Sequence, residues 1–427
     1  MKRRLCCGAS AVLATIGALA LTSDPAVAQC DDLRFSGKQV PAGDFDCCIA
    51  TGDFNGDSVS DLVTANFFYD VSLLLGNGDG CFAAAASFPA NNAYSLTTGD
   101  FNGDGFTDLA AGAYYSSQGS ILLGNADGTL TSAGSFNSGS PSMIATGDFN
   151  GDGVVDLVAA NNTAGGCATF LGQGDGSFSF SCDKYLFHEA SSILTGDFDG
   201  DGITDLVTSD RDADNVIFSP GIGDGCFDFG GTSPAGEGPT ALTTADFNGD
   251  GFPDLATTNT SSDQVSVLLG NGDGTFAVAK SFSVGDGPRS ITAGDFNDDG
   301  YIDLATANTF SDDVSVLLGD GDGSFAVAQS FPTGDRPYSI TTGDFDGDGF
   351  TDLAIVNTFS DDVTVLLNRS NFILGDLNLD GSVDLLDVAP FVDLLSNGGF
   401  QDEADINQDG EVTLLDVQPF VDLLSGG

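Results

Sequence analysis

A variant of D-F-N-G-D-G-x-x-D-L recurs seven times along this chain, beginning at Asp53, Asp100, Asp148, Asp197, Asp246, Asp295 and Asp344. The step from copy to copy is 47 to 49 residues. A period of that length marks an array of supersecondary units, none of which can bury its apolar face alone. A core built without internal repetition is thereby excluded.

One period, residues 289–337, shows what the unit is. Ser290 to Phe296 reads as a first strand running into the acidic loop. Asp303 to Asn308 reads as a second, built of small residues, and Val314 to Leu318 as a third. A G-D-G-D-G turn follows, then Phe325 to Phe331 as a fourth strand of alternating polarity. Four short strands per period make a propeller blade, and small residues suit inner strands where blades crowd toward an axis. The seventh copy lacks its fourth strand after Asn368. Leu33 to Val40 stands before the first loop as Phe276 to Val284 stands before the sixth, so the start of the chain is placed to complete the last blade. Closure removes both free edges. The expectation is an all-β, seven-bladed β-propeller over residues 29–370.

The loops carry oxygen-bearing side chains on alternate residues around a glycine turn, the arrangement that wraps a calcium ion. Positions 1, 3, 5 and 9 supply them. They are Asp53, Asn55, Asp57 and Asp61; Asp100, Asn102, Asp104 and Asp108; Asp148, Asn150, Asp152 and Asp156. The later loops give Asp197, Asp199, Asp201 and Asp205; Asp246, Asn248, Asp250 and Asp254; Asp295, Asn297, Asp299 and Asp303; Asp344, Asp346, Asp348 and Asp352. Asx-rich turns without metal are the plainer alternative. Repetition favours metal, because three carboxylates within nine residues repel one another without a cation. The first loop has Ser58 where the others have glycine, which makes its turn less relaxed, and the sixth has Asp298 at position 4. The G-N-G-D-G turns, such as Gly76 to Gly80, read as hairpin turns needing positive φ rather than as a second metal series.

On these loops the chain resembles the FG-GAP repeats of integrin alpha-subunit propellers and the related VCBS repeats of secreted bacterial proteins. The resemblance covers residues 33–368. It implies structural calcium in the loops, on the face opposite the ligand face.

A different motif occurs twice near the C-terminal end. Asp376, Asn378, Asp380, Ser382, Asp384 and Asp387 recur 29 residues later as Asp405, Asn407, Asp409, Glu411, Thr413 and Asp416. Each is a 12-residue EF-hand-like loop followed by an apolar segment. Two such loops with Asp at position 12 resemble dockerin type I domains, which implies a small α-helical module over 376–427, folded on Ca2+, with a cohesin-like partner. The sequence departs from that pattern at positions 10 and 11, which are Leu385-Leu386 and Leu414-Leu415. It also places Pro390 and Pro419 inside the expected helices, where proline kinks or restarts a helix. A calcium-stabilised cap or dimerisation module is the alternative.

Composition bounds the partners. Asp plus Glu number 63 against 11 Lys plus Arg, a formal charge of −52. That excludes ordinary nucleic-acid binding and disfavours anionic membranes. Residues 1–28 read as a signal peptide: Lys2-Arg3-Arg4, an apolar stretch, and Ala26-Val27-Ala28 as cleavage site. Secretion, with no membrane span after cleavage, is the expected localisation. Seven cysteines then remain, and export permits disulfides. Cys167 and Cys182, on neighbouring strands of one period, are the expected pair.

Blade topology puts the acidic loops and the G-D-G turns on one face. The turns between second and third strands, and the links between blades, share the other, and these vary. Six residues before each loop lie Cys47, Tyr94, Ser142, Ser191, Thr240, Arg289 and Tyr338, a predicted ring at the channel mouth. Exposed aromatics beside Arg and Asn suit an extracellular protein or glycan ligand. His188 is the one histidine, so no Ser-His-Asp or zinc set can be assembled, and uniform repeats leave no insertion for a catalytic pocket. The reading is a secreted, calcium-binding, non-catalytic propeller acting in protein interaction or cell adhesion. A carbohydrate-binding propeller is the alternative, and a polysaccharide-degrading enzyme is less favoured.

Overall fold

A computed structural model describes residues 33–369, apart from 44–45, 68–69, 162–165 and 187–189. The expected signal peptide, Cys30, His188 and the whole of the expected C-terminal calcium-binding module lie outside the described residues. Leu33–Asn368 forms one compact unit.

That unit is seven four-stranded antiparallel sheets. In blade six the strands are Pro288–Gly294, Asp303–Asn308, Asp313–Leu317 and Gln329–Pro332, hydrogen-bonded in that order. The second strand has the predicted bounds. The fourth is shorter than predicted. Phe325 makes only an isolated bridge to Gly319, and Val327 juts out 92% exposed before pairing resumes. Between them, Ala326 N–H donates to Leu318 O at 2.8 Å.

The ring closes as the sequence predicts. Phe35–Pro41 pairs antiparallel with Asp362–Asn368, Phe35 opposite Asn368, and becomes the outer strand of blade seven. Phe35 sits edge-on to Phe296 and Phe331 of blade six.

Second strands such as Asp108–Ala113 and Asp254–Asn259 are buried along their whole length. Both faces of each are covered by neighbouring blades, which explains runs such as Leu109-Ala110-Ala111 without polar alternation. The cores lie between blades. One joins Phe101, Ala110 and Ile121 of blade two to Ile144, Leu157 and Phe170 of blade three.

The disulfide prediction is corrected. Cys182 bonds Cys226, tying the outer strand of blade three to the third-to-fourth-strand turn of blade four. Cys167 is a buried free thiol. It lies opposite Lys184, and Cys182 lies opposite Thr169, so the two are diagonal across the ladder. That spacing exceeds what one disulfide spans.

Candidate metal loops and candidate binding face

The acidic loops are nested Asx turns. In blade two, Asp100 Oδ1 accepts from the N–H of Gly103 (2.7 Å) and of Asp104 (3.2 Å), and its Oδ2 from Gly105 (2.9 Å). Asn102 Oδ1 accepts from Asp104 N–H at 2.8 Å, and Asp104 Oδ1 from Phe106 N–H at 2.9 Å. Such turns need left-handed backbone twice. Position 6 is Gly at φ 81–89° in six loops, and Ser58 adopts φ 68° in the first. Position 4 needs it too, which the sequence reading missed: Gly103 is at φ 74°, and Asp298 takes φ 58° in the sixth loop.

The ninth-position aspartate has a role beyond the predicted one. Asp108 is fully buried. Its Oδ2 accepts from Phe101 N–H (2.8 Å) and its Oδ1 from Gly124 N–H (2.9 Å). It therefore clamps the loop start to the turn after the third strand, and the other six ninth-position aspartates do the same. In blade seven the second donor is Asn368 N–H, at 2.7 Å from Asp352. The phenylalanine at position 2 links blades. The carbonyls of Phe101, Phe149, Phe198, Phe247 and Phe345 each accept from a glycine of the following blade's G-D-G turn, at 2.9–3.1 Å. Their rings meet Phe178, Phe227, Phe276, Phe325 and Phe82 edge-on. Where the seventh turn is missing, Asn368 Nδ2 donates to Phe296 O instead, at 2.8 Å. The glycines of the turns sit at positive φ, for example Gly78 at 73° and Gly80 at 71°, as hairpin duty requires.

The electrostatics of the loops is unbalanced. Burial, first, and the nearby Asp57 and Asp53 push Asp61 up to about 6, although the N–H groups of Gly76 and Phe54 pull it down. Asp108, Asp205 and Asp254 are also pushed to about 6, and Asp303 and Asp352 to about 7, burial again leading. Asp156 is raised for the same reason. In blade four, carboxylate oxygens of Asp197, Asp199 and Asp205 lie within 4.8 Å of one another, as do those of Asp344, Asp346 and Asp348 in blade seven. These two loops have Asp rather than Asn at position 3. Like charges ~4 Å apart repel by roughly 1–4 kcal/mol between water and a protein surface. An all-oxygen donor set fits a hard dication.

On the opposite face, the predicted ring proves to be a backbone feature. Each of the seven innermost strands carries a β-bulge, and the extra residue is Cys47, Tyr94, Ser142, Ser191, Thr240, Arg289 or Tyr338. A bulge re-aims a side chain and is common beside functional sites. As a surface the ring is narrower than predicted. Cys47 and Ser142 are buried. The hydroxyls of Ser191 and Thr240 turn to the carbonyls of Pro239 and Pro288 in the next blade. Tyr94, Arg289 and Tyr338 are half-buried, and they touch. The Arg289 guanidinium lies 4.3 Å over the Tyr338 ring, and the Tyr338 and Tyr94 hydroxyls are 3.4 Å apart. Tyr94 continues into Tyr114 and Phe67, and these into the exposed Tyr115. Among the described residues no helix is long and apolar enough to cross a membrane.

Comparison with known proteins gives two family matches. Residues 53–111, 100–159, 148–208, 197–257, 246–306 and 295–355 match the FG-GAP-like repeat. Residues 374–419 match the Dockerin type I domain. No curated protein sequence matches the chain. Among solved structures, BBS1N in complex with ARL6DN is similar at 13% identity, over 78% of this chain and 96% of that one, with a TM-score of 0.58. Virginiamycin B lyase from Staphylococcus aureus is similar at 13% identity, over 78% and 99% of the two chains, with a TM-score of 0.54. Identities this low carry the propeller fold alone.

Proposed function

The chain belongs to the FG-GAP-like repeat family, and we propose that it is a secreted, calcium-binding, non-catalytic interaction protein. In this reading the propeller is a rigid display surface, and the dockerin module docks it onto a cohesin-like module of another extracellular protein. The observation that carries it is the pairing, on one chain, of an FG-GAP-like propeller with a Dockerin type I domain, a family that binds calcium and cohesin modules in general.

The loops hold calcium through positions 1, 3, 5 and 9, from Asp53 to Asp352, and the C-terminal module through its two loops, Asp376 to Asp387 and Asp405 to Asp416. Bound calcium supplies the positive charge that the buried ninth aspartates lack. The loop residues fix the blade edges and take no part in ligand contact. The leucine pairs at 385–386 and 414–415 favour a cohesin-like surface more apolar than one that reads polar residues there. A chain with one histidine and repeats of uniform length offers no catalytic set.

The test is binding of the whole chain to immobilised cohesin modules, with calcium and with chelator. Calcium-dependent retention supports the docking role. A folded, calcium-loaded chain retained by no cohesin sinks it and leaves the cap or dimerisation alternative.

A further inference from the structure

The chain has few basic residues, and two of its arginines are placed in a way that a solubilising charge does not need. Arg336 sits in the link from blade six to blade seven at φ 58°. Two corresponding links, D-G287-P and E-G238-P, have glycine there, at φ 67° and 70°, and two others hold Asn92 and Ser140 at φ 61° and 99°. The surrounding geometry is unchanged: Arg336 N–H donates to Asp312 Oδ1 at 2.9 Å, as Gly287 N–H does to Asp263 at 2.8 Å. A side chain in the left-handed region is strained, and Arg336 is the charged one among these described links. The guanidinium is stacked 4.4 Å over Phe359 and 5.8 Å from Phe310, two exposed rings of the turns on blades seven and six.

Arg289 repeats the device on blade six, at a bulge, over Tyr338. In a chain with 63 acidic residues, neither arginine makes an ion pair with a described residue, whereas Lys184 pairs with Asp228. Stacking occupies the flat face of a guanidinium and leaves its edge, with parallel N–H donors, open to a carboxylate. Both arginines and the tyrosine run through Tyr94 to Tyr115 lie on the face opposite the acidic loops. Tyr115 is 69% exposed and Phe359 58%. Exposed flat rings beside cationic forks suit a chain of sugar rings that carries carboxylates.

We propose that, although the −52 charge of the chain repels polyanions at long range, blades six, seven, one and two bind a short uronate-bearing oligosaccharide through local attraction, with Arg289 and Arg336 taking carboxylates and the exposed Tyr115 and Phe359 rings taking sugar faces. This site is independent of the dockerin docking role and stands or falls without it.

The experiment is calorimetric titration of the whole chain, in calcium, with tetragalacturonate, with its carboxyl-reduced neutral counterpart, and with a glutamate tetrapeptide of equal charge. The expected result is binding of the uronate alone. Arg289→Ala should weaken it roughly tenfold, the loss of one charge-assisted fork, and Arg289→Lys should recover only part. Arg336→Gly is the decisive variant. Glycine is the residue of two corresponding links and relieves a left-handed side chain, so this change should leave the melt at or above that of the parent while weakening the uronate roughly tenfold. Equal binding of the neutral sugar would overturn the carboxylate role, and equal binding of the peptide would overturn the sugar. So would silence from a folded chain, or an Arg336→Gly variant that binds as the parent does.

Discussion

At the scale of the residue, the loops separate backbone strain from charge. Ser58 holds a left-handed position that glycine holds in the other six loops. Ser58→Gly should therefore raise stability by about 0.5–1 kcal/mol, strain relief less the greater freedom of the unfolded glycine. Gly251→Ser should lower it by a similar amount. Denaturant midpoints at unchanged slope check the pair, and a Ser58→Gly variant no more stable than the parent would remove the strain argument. Charge acts at the ninth aspartates. All seven are raised above the ordinary carboxylate value, most to about 6 and Asp303 and Asp352 to about 7. The folded state thus holds protons that the unfolded chain releases near pH 4. Their contribution is complete below that value and is lost as pH climbs through about 6 to 7. In chelator, stability should fall as pH rises from about 4 to about 7. In millimolar calcium the fall should vanish, because the bound ion favours the ionised form. Chemical denaturation across that range reads both arms, and a chelated protein that gains stability toward neutral pH would contradict the burial of these groups.

At the scale of the element, the repeat made the blades legible because each D-x-N-x-D-G loop forces a turn between two strands, and the D-L-x-x-x-N run that follows is covered on both faces. The limits of Asp303–Asn308 could be read directly. The bulges could not. Their extra residues are Cys, Tyr, Ser, Thr and Arg, which share no chemistry, because bulging is a property of the inner strand's backbone rather than of a side chain. The dual hydrogen bonding of the ninth aspartate was hidden for a related reason: its partner, such as Gly124, is 16 residues away and looks like a turn residue alone. The disulfide was misread because neighbouring strands were identified without their register. Its true position makes a prediction. Cys182 and Cys226 are 44 residues apart and join two blades. Cys226→Ser should cost roughly 2–4 kcal/mol, the loop-closure entropy restored to the unfolded chain. Cys167→Ser should not mimic it, since that thiol is unbonded and its change only sets a small polar group among buried side chains. Hydrogen exchange should localise the first loss of protection to blades three and four.

At the scale of the whole molecule, a ring is only as stable as its closing contact. Phe35–Pro41 is the one strand that a blade borrows from elsewhere in sequence, and it covers the edge of Asp362–Asn368. Six junctions carry a hydrogen bond from one blade's turn, or from Asn368 in its place, to the loop phenylalanine of the blade before. Opening one edge should therefore release strain and charge repulsion around the whole circle. A chain lacking residues 29–41 should lose the edge-on contacts of Phe35 and expose an apolar strand. It should self-associate, and its melt should broaden from one transition to several. Calcium should reveal the same coupling. Each site that binds only the folded state adds roughly 2.7 kcal/mol at ~100-fold over its Kd, and extracellular sites of this kind work near 10⁻⁴–10⁻³ M. In the closed ring, calcium should raise one sharp melt, because no blade can unfold without its neighbours. In the truncated chain, the same calcium should stabilise blades unevenly. Sodium chloride at matched ionic strength separates this from screening of the −52 charge, since screening acts alike on both chains. A truncated chain that melts as one unit, with the parent's calcium response, would show that the blades are coupled without closure.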